Sequence, residues 1–381
     1  MNQAPFELNP NCLAARLARP ELLTLVPYQS ARRIGGSGEI WVNANESPFN
    51  RSGIEGANRY PECQPPGLIT AYAAYAGVDV NELVCGRGAD EAIELLIRTF
   101  CVPGKDSIGI FNPTYGMYAI SAATFNVAVK SLPLGDDFTL PLKEESDGNS
   151  DGKSDNSDDL SAFDGCKLVF VCNPNNPTGT VLPLGDIATL ARRFPNALLV
   201  VDEAYIEFAR TEDGKPLVSA TSLMQEFSNL VVLRTLSKAF GLAGARCGFL
   251  LANREVCELV MRVIAPYPVP VPVSRLGEAA LSEQGIAQMR ADVNELIEQG
   301  KRIIAALNAS GLTTAPSGGN YVLAFSDKVD ALAKALASAG IVARRYAHPR
   351  LAQAIRISFS DKRDTDAIIA AIKAFGAQGA K

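Results

Sequence analysis

Three short apolar runs in series constrain this chain most: residues 167–171 (Lys-Leu-Val-Phe-Val), 197–201 (Ala-Leu-Leu-Val-Val) and 230–233 (Leu-Val-Val-Leu). Continuous apolar runs of this length suit strands buried on both faces, as in a parallel sheet with helices on either side. Each run ends in polar groups. The first opens into Cys172-Asn-Pro-Asn-Asn-Pro-Thr-Gly179, the second into Asp202-Glu-Ala-Tyr205, and the third into Arg234-Thr-Leu-Ser-Lys238 with Arg246 eight residues further on. Open α/β sheets bind ligands at the C-terminal ends of their strands, so the repetition marks a site.

The residue types define the chemistry. A lysine at a strand end beside hydroxyls and a guanidinium suits a carbonyl cofactor carrying a phosphate: an amine for the aldehyde and charge-assisted donors for the phosphate. Pyridoxal phosphate fits that demand best. Asp202 can pair with its pyridine nitrogen, keeping the ring an electron sink, while Tyr205 can donate to its phenolate oxygen. Asn176 precedes a proline and is held extended, so its amide can be aimed at the same oxygen. Residues 83–100 read as a strand, a glycine turn and an amphipathic helix beginning near Asp90, whose first amides would face a phosphate. The third glycine of a dinucleotide fingerprint is replaced by Glu91, which disfavours nicotinamide. Residues 108–115 end a further strand with Tyr115, placed to stack on a flat ring.

These segments, in this order, resemble the fold-type I pyridoxal phosphate aminotransferases. More narrowly they resemble the histidinol-phosphate aminotransferases, through residues 43–49, 59–62, 265–268, 319–322, 340–344 and 355–358. The resemblance spans from about Pro27 to the C-terminus and implies an α/β fold: a large, mainly parallel seven-stranded sheet domain and a smaller α/β domain. It implies that Lys238 binds the cofactor aldehyde and shuttles the proton, with Asp202 on the ring nitrogen, Asn176 and Tyr205 on the ring oxygen, and Tyr115 on the ring face. Ala89, Asp90, Thr235, Ser237 and Arg246 fall around the cofactor phosphate, and Tyr60 matches a tyrosine reaching it from the neighbouring subunit of a homodimer. Arg356 matches the arginine that grips the amino donor's carboxylate and, with Arg344, the phosphate of histidinol phosphate; Tyr28 and Asn320 are further substrate candidates. The implied reaction is a ping-pong transfer of an amino group from glutamate to imidazole acetol phosphate. An aromatic or aspartate aminotransferase, or a threonine-phosphate decarboxylase, would share the cofactor residues and differ at Tyr28, Asn320 and Arg344.

The rest of the chain agrees. Its single histidine, His348, supplies no histidine base or multi-imidazole metal site; a released lysine is the base instead, its pKa lowered by a partly desolvated, cationic setting that Arg246 and Arg356 can provide. At 381 residues and 47% hydrophobic, the chain can build a large core and two domains. No stretch has the length of an apolar membrane span. The N-terminus lacks the order of a secretory signal, making the cytoplasm the expected location. Eight cysteines are dispersed without a CxxC pair, so buried reduced thiols are expected. Net charge is −5, but residues 144–161 hold seven acids and one lysine, a net −6 that leaves about +1 elsewhere. No basic stripe suggests nucleic acid, and with about 27 residues ahead of Pro27 the separate DNA-binding module of a cofactor-sensing regulator is not expected.

That acidic segment reads as a surface loop. Asp147, Asn149, Asp151, Gly152, Asp155 and Asp158 fall at calcium-loop positions, but an aspartate replaces the bidentate glutamate and Ser154 fills a usually apolar place, so no metal is expected. The expected division is residues 1–45 as an N-terminal arm and part of the small domain, 46–267 as the large domain, and 268–381 as the small C-terminal domain. Alternate prolines 266–272 forbid a helix at the crossover. Residues 276–300 and 329–340 read as helices ending at glycines. Leu13, Leu17, Leu22 and Leu23 are read as an arm on a partner subunit.

Overall fold

The computed structural model describes residues 7–35, 38–142 and 160–379. The calcium-loop spacing and all but the last two residues of the acidic segment lie outside the described residues. In chain order, helices α1 Leu13–Leu17, α2 Ala31–Ile34 and α3 Pro66–Ala76 lead into strand β1 Leu83–Gly86 and helix α4 Ala89–Phe100. Strands β2 Ser107–Asn112 and β3 Ala128–Pro133 flank helix α5 Met117–Thr124. Next come β4 Leu168–Cys172, α6 Leu184–Arg193, β5 Leu198–Asp202, β6 Leu230–Thr235, β7 Gly248–Ala252 and α7 Arg254–Val263.

Among the described residues these strands form one seven-stranded sheet in the order β1-β7-β6-β5-β4-β2-β3. β7 runs antiparallel to both of its neighbours, and the pairs from β6 to β3 are parallel. The continuity of the apolar runs follows from the two faces they serve. Val169, Val171, Leu199, Val201 and Val232 point into one helical layer; Leu168, Phe170, Leu198, Val200, Val231 and Leu233 point into the other. Every residue of β4, β5 and β6 is buried, at roughly 1.5–3 kcal/mol for each large aliphatic side chain. Parallel direction puts Cys172, Asp202 and Thr235 at one edge, with Cys172 and Asp202 in register.

Beyond α7 come α8 Val271–Ala280, α9 Glu283–Ala309, β8 Thr313–Thr314, β9 Tyr321–Phe325, α10 Val329–Ser338, β10 Arg344–Arg345, β11 Ala354–Ser358 and α11 Lys362–Gly379. Here a four-stranded antiparallel sheet, β10-β11-β9-β8, buries Val322, Ala324, Ile355 and Ile357 against Ile303, Leu307, Leu332, Leu336 and Ile372 of α9, α10 and α11. Arg356 alternates with Ile355 and Ile357 and so projects from the opposite face. Among the described residues no helix is long and apolar enough to cross a membrane.

Several sequence expectations need correction. The helix read over 276–300 is two helices, divided at Leu281–Ser282, where the Ser282 hydroxyl accepts from Gly285 N and caps α9. Gly300 does not end α9: a Cβ there would collide with the Phe359 ring, so this glycine serves close packing of α9 against the chain after β11. Pro272 does not exclude a helix either, because it sits in the first turn of α8, where its missing N–H is not needed. Of the leucines read as a partner-bound arm, three pack on their own chain: Leu17 joins the cluster of α4 and α7 with Leu13 against it, and Leu22 is buried; Leu23 is exposed, and Arg262 donates to the carbonyls of Leu22 and Leu23 at 2.7 Å each. These residues therefore belong with the large sheet.

Candidate active site

Each parallel strand delivers its side chains where its carbonyl edge ends. After β1 the chain turns through Gly86-Arg87-Gly88 into α4; Gly88 has φ 88°, a left-handed conformation that favours glycine. A Cβ on Gly248 would lie 2.5 Å from Ala89 N, so only glycine lets β7 approach the start of α4. No side chain caps the first amides of α4, at Ala89 and Asp90, which leaves them to an anion at this helix N-terminus. Arg246, itself at φ 53°, bonds Asp90 Oδ2 through Nη2 at 2.8 Å, and the Tyr115 hydroxyl donates to Asp90 Oδ1 at 2.9 Å. Thr235 Oγ1 and Ser237 Oγ stand 2.9 Å apart, and Ser237 N donates to Thr235 Oγ1 at 3.1 Å.

Asp202 at the end of β5 is almost completely buried. Tyr118 Oη donates to its Oδ2 at 2.8 Å and Ala204 N to its Oδ1 at 3.1 Å. Burial nevertheless prevails over those two donors and pushes the carboxyl up to about 6. Among the described residues this carboxylate forms no salt bridge, and Lys238 offsets its burial only slightly. Opposite it, Asn176 Nδ2 reaches the Tyr205 hydroxyl at a long 3.4 Å, and Arg356 Nη1 donates to Asn176 Oδ1 at 2.7 Å, joining the small sheet to the loop after β4. The Lys238 amine stands 5.4 Å from the centre of the Tyr205 ring. Burial first, then Arg356 and to a lesser extent Arg246, hold it below an ordinary amine, while Asp90 and Asp202 pull the other way.

One cavity of about 430 Å³ gathers this set. Ala89, Asp90, Tyr115, Asn176, Asp202, Tyr205, Thr235, Ser237, Lys238, Arg246, Arg344 and Arg356 line it, so twelve of the fifteen residues expected from the sequence converge. Tyr28, Tyr60 and Asn320 do not line it. Tyr28 is 70% exposed; Tyr60 stacks on Tyr267 at 4.3 Å and is half exposed; the carbonyl of Asn320 accepts from Phe359 N. Two residues unforeseen in the sequence are close to the chemistry: Tyr118, three positions after Tyr115, and Tyr346, two after Arg344. Beneath the cavity Arg234, only 6% exposed, bonds Glu203 Oε2 at 3.1 Å and Glu207 Oε1 at 2.6 Å, tying the end of β6 to the segment after β5.

Pyridoxal phosphate suits this donor set. A cationic ring N–H answers the buried carboxylate of Asp202, a phosphate answers the amides of α4 with Thr235, Ser237 and Arg246, and an aldehyde answers an amine of lowered pKa. The fold and this cavity define an aminotransferase, and residues 39–372 match the family model for aminotransferase class I and II. Within that family the chain belongs to the histidinol-phosphate aminotransferases. It is 74% identical over 360 residues to the histidinol-phosphate aminotransferase of Shewanella amazonensis, covering 94% of this chain and 95% of that one. It is 57% identical to that of Shewanella oneidensis, covering 94% and 88%. Its fold matches the crystal structure of histidinol-phosphate aminotransferase from Sinorhizobium meliloti in complex with pyridoxal-5'-phosphate, with a TM-score of 0.73 at 24% identity over 88% of this chain and 90% of that chain.

Proposed function

We propose that this protein transfers an amino group from glutamate to imidazole acetol phosphate, yielding 2-oxoglutarate and histidinol phosphate, with pyridoxal phosphate as cofactor. The observation that carries the reading is the amine of Lys238, lowered in pKa, sharing one cavity with the buried Asp202 carboxylate and with two arginines from the small sheet. When bound, the cofactor supplies an aldehyde for the amino group and an electron-withdrawing ring.

The chain's own residues do the rest. Asp202, aligned by Tyr118 and Ala204 N, holds the proton on the ring nitrogen. Asn176 and Tyr205 donate to the ring oxygen, and Tyr115, anchored through Asp90, covers a ring face. The amides of Ala89 and Asp90 with Thr235, Ser237 and Arg246 hold the phosphate. Lys238 Nζ would hold the cofactor's aldehyde and, when free, would be the base that takes the proton from the substrate Cα and returns it on the far side of the amino nitrogen, a 1,3-shift. Burial and Arg356 lower its pKa, so it gives up its proton more readily than an ordinary lysine does. Arg356 grips the glutamate α-carboxylate, and with Arg344 it grips the phosphate of the second substrate; one pair serves both because carboxylate and phosphate offer similar acceptors to a guanidinium fork.

A homodimer supplies what one chain lacks. Leu25, Val26, Tyr28, Ile34, Ile40, Val42, Phe49, Ile54 and Tyr60 are all exposed, an apolar stretch of the kind that associates. A second copy on this stretch lets Tyr60 reach the neighbouring phosphate. All eight cysteines are free and seven are buried, which suits a reducing cytoplasm. Replacing Lys238 by Ala tests the assignment: cofactor absorbance characteristic of the lysine-bound form and nearly all turnover should vanish, and a variant that kept both would refute it. An absorbance titration with histidinol phosphate against phenylalanine and threonine phosphate tests the substrate.

A further inference from the structure

Tyr346 lines the same cavity, and nothing in the chemistry above uses it. Its hydroxyl is shut off from solvent and has no hydrogen-bond partner among the described residues. Keeping a buried hydroxyl unpaired is unfavourable, which points to a partner that arrives and departs.

The neighbours define that partner. Arg344 Cζ lies 5.5 Å and Arg356 Cζ 5.9 Å from the centre of the Tyr346 ring. The two arginines face each other directly across β10 and β11, an arrangement of like charges that repels. Arg345 is paired with Asp330, but Arg344 has no ion pair among the described residues. Arg356 Nε is a second buried donor without a partner. Every free group on this wall is a donor, so the ligand group they await only accepts. Burial raises the Tyr346 phenol above its ordinary value despite Arg356 and Arg344, so it remains a donor at neutral pH. A carboxylate has two oxygens and is satisfied by the guanidiniums alone; a phosphate monoester has three terminal oxygens and leaves one for a further donor.

The geometry points to Tyr346 as a specificity-determining residue, its hydroxyl donating to a terminal phosphate oxygen of the phosphorylated substrate and favouring it over the dicarboxylate. This rests on the reading of histidinol phosphate and glutamate as the two amino substrates. Tyr346→Phe keeps the ring between the guanidiniums and removes only the O–H.

In the holoenzyme of that variant, the ratio of kcat/KM for histidinol phosphate to kcat/KM for glutamate should fall about tenfold. The loss should be carried by KM for histidinol phosphate, and calorimetric Kd for inorganic phosphate should weaken by a similar factor. A ratio within about twofold of the parent, with phosphate Kd unchanged, overturns the proposal. So does an equal fall for both substrates accompanied by a lower Tm, which is the signature of a structural role. If the parent enzyme does not turn over histidinol phosphate, the substrate reading fails by itself, and the inorganic phosphate Kd of parent and variant still decides the role of Tyr346.

Discussion

Asp202 carries an unusual burden before the cofactor binds, and Asp202→Asn exposes it. The carboxyl is pushed from its ordinary 3.8 to about 6 because burial outweighs the bonds from Tyr118 and Ala204 N. At about 1.4 kcal/mol for each tenfold change in proton affinity, the ionised group costs the cofactor-free fold about 3 kcal/mol. The group is fully buried, so solvent screening does not reduce that figure. The sign follows from proton counting: between pH 4 and 6 the folded state binds more protons than the unfolded one, so the parent protein loses stability as pH rises and then levels off. An asparagine does not titrate. It accepts well through only one oxygen, so one of the two donors loses its partner at a pH-independent cost of about 1–3 kcal/mol. The stability difference between variant and parent should therefore move in the variant's favour by about 2 kcal/mol from pH 4 to pH 7. Urea unfolding of cofactor-free protein across that range measures it. Parallel pH profiles for the two proteins would refute the reasoning. With cofactor present the parent should be the more stable of the two at pH 7, because only the carboxylate holds the ring proton.

Other substitutions probe separate parts of the account. Arg234→Met strands Glu203 and Glu207, both nearly buried, and should lower unfolding stability by about 3–5 kcal/mol, seen as a lower urea midpoint. Gly300→Ala forces a methyl against the Phe359 ring and should lose about 1–3 kcal/mol, whereas Gly185→Ala in α6 meets nothing within 4 Å and should gain up to about 1 kcal/mol. Removing the cation of Arg356 with Arg356→Gln should raise the Lys238 pKa, since burial and then Arg356 depress it. The acid limb of the kcat profile at saturating substrate should shift to higher pH, and an unmoved limb would show that burial alone sets the amine.

The large sheet was legible because its strands are buried on both faces, which demands unbroken apolar runs and makes their polar ends conspicuous. Lys238, Asp202 and Asn176 could be found from that pattern. Arg344 and Arg356 came only through resemblance, since β10 has just two residues and carries no periodic signal. Tyr118 was hidden because its role depends on a crossing from α5 to the end of β5, across 84 residues of chain. Tyr346 follows Arg344 closely, but an unpaired hydroxyl becomes visible only once the cavity exists. Glycine was the main source of error: Gly300 answers a tertiary contact with Phe359, whereas at Gly340, φ 77° just past α10, the same residue does end a helix. Proline misled in a similar way, since its cost depends on whether it falls in a first turn or beyond it.

The central claim is a covalent one at a single nitrogen. Purified, cofactor-loaded protein treated with borohydride and mapped by peptide mass should carry the reduced pyridoxyl phosphate on the side chain of Lys238. Recovery of that peptide unmodified, or of the label on another lysine, would contradict the account.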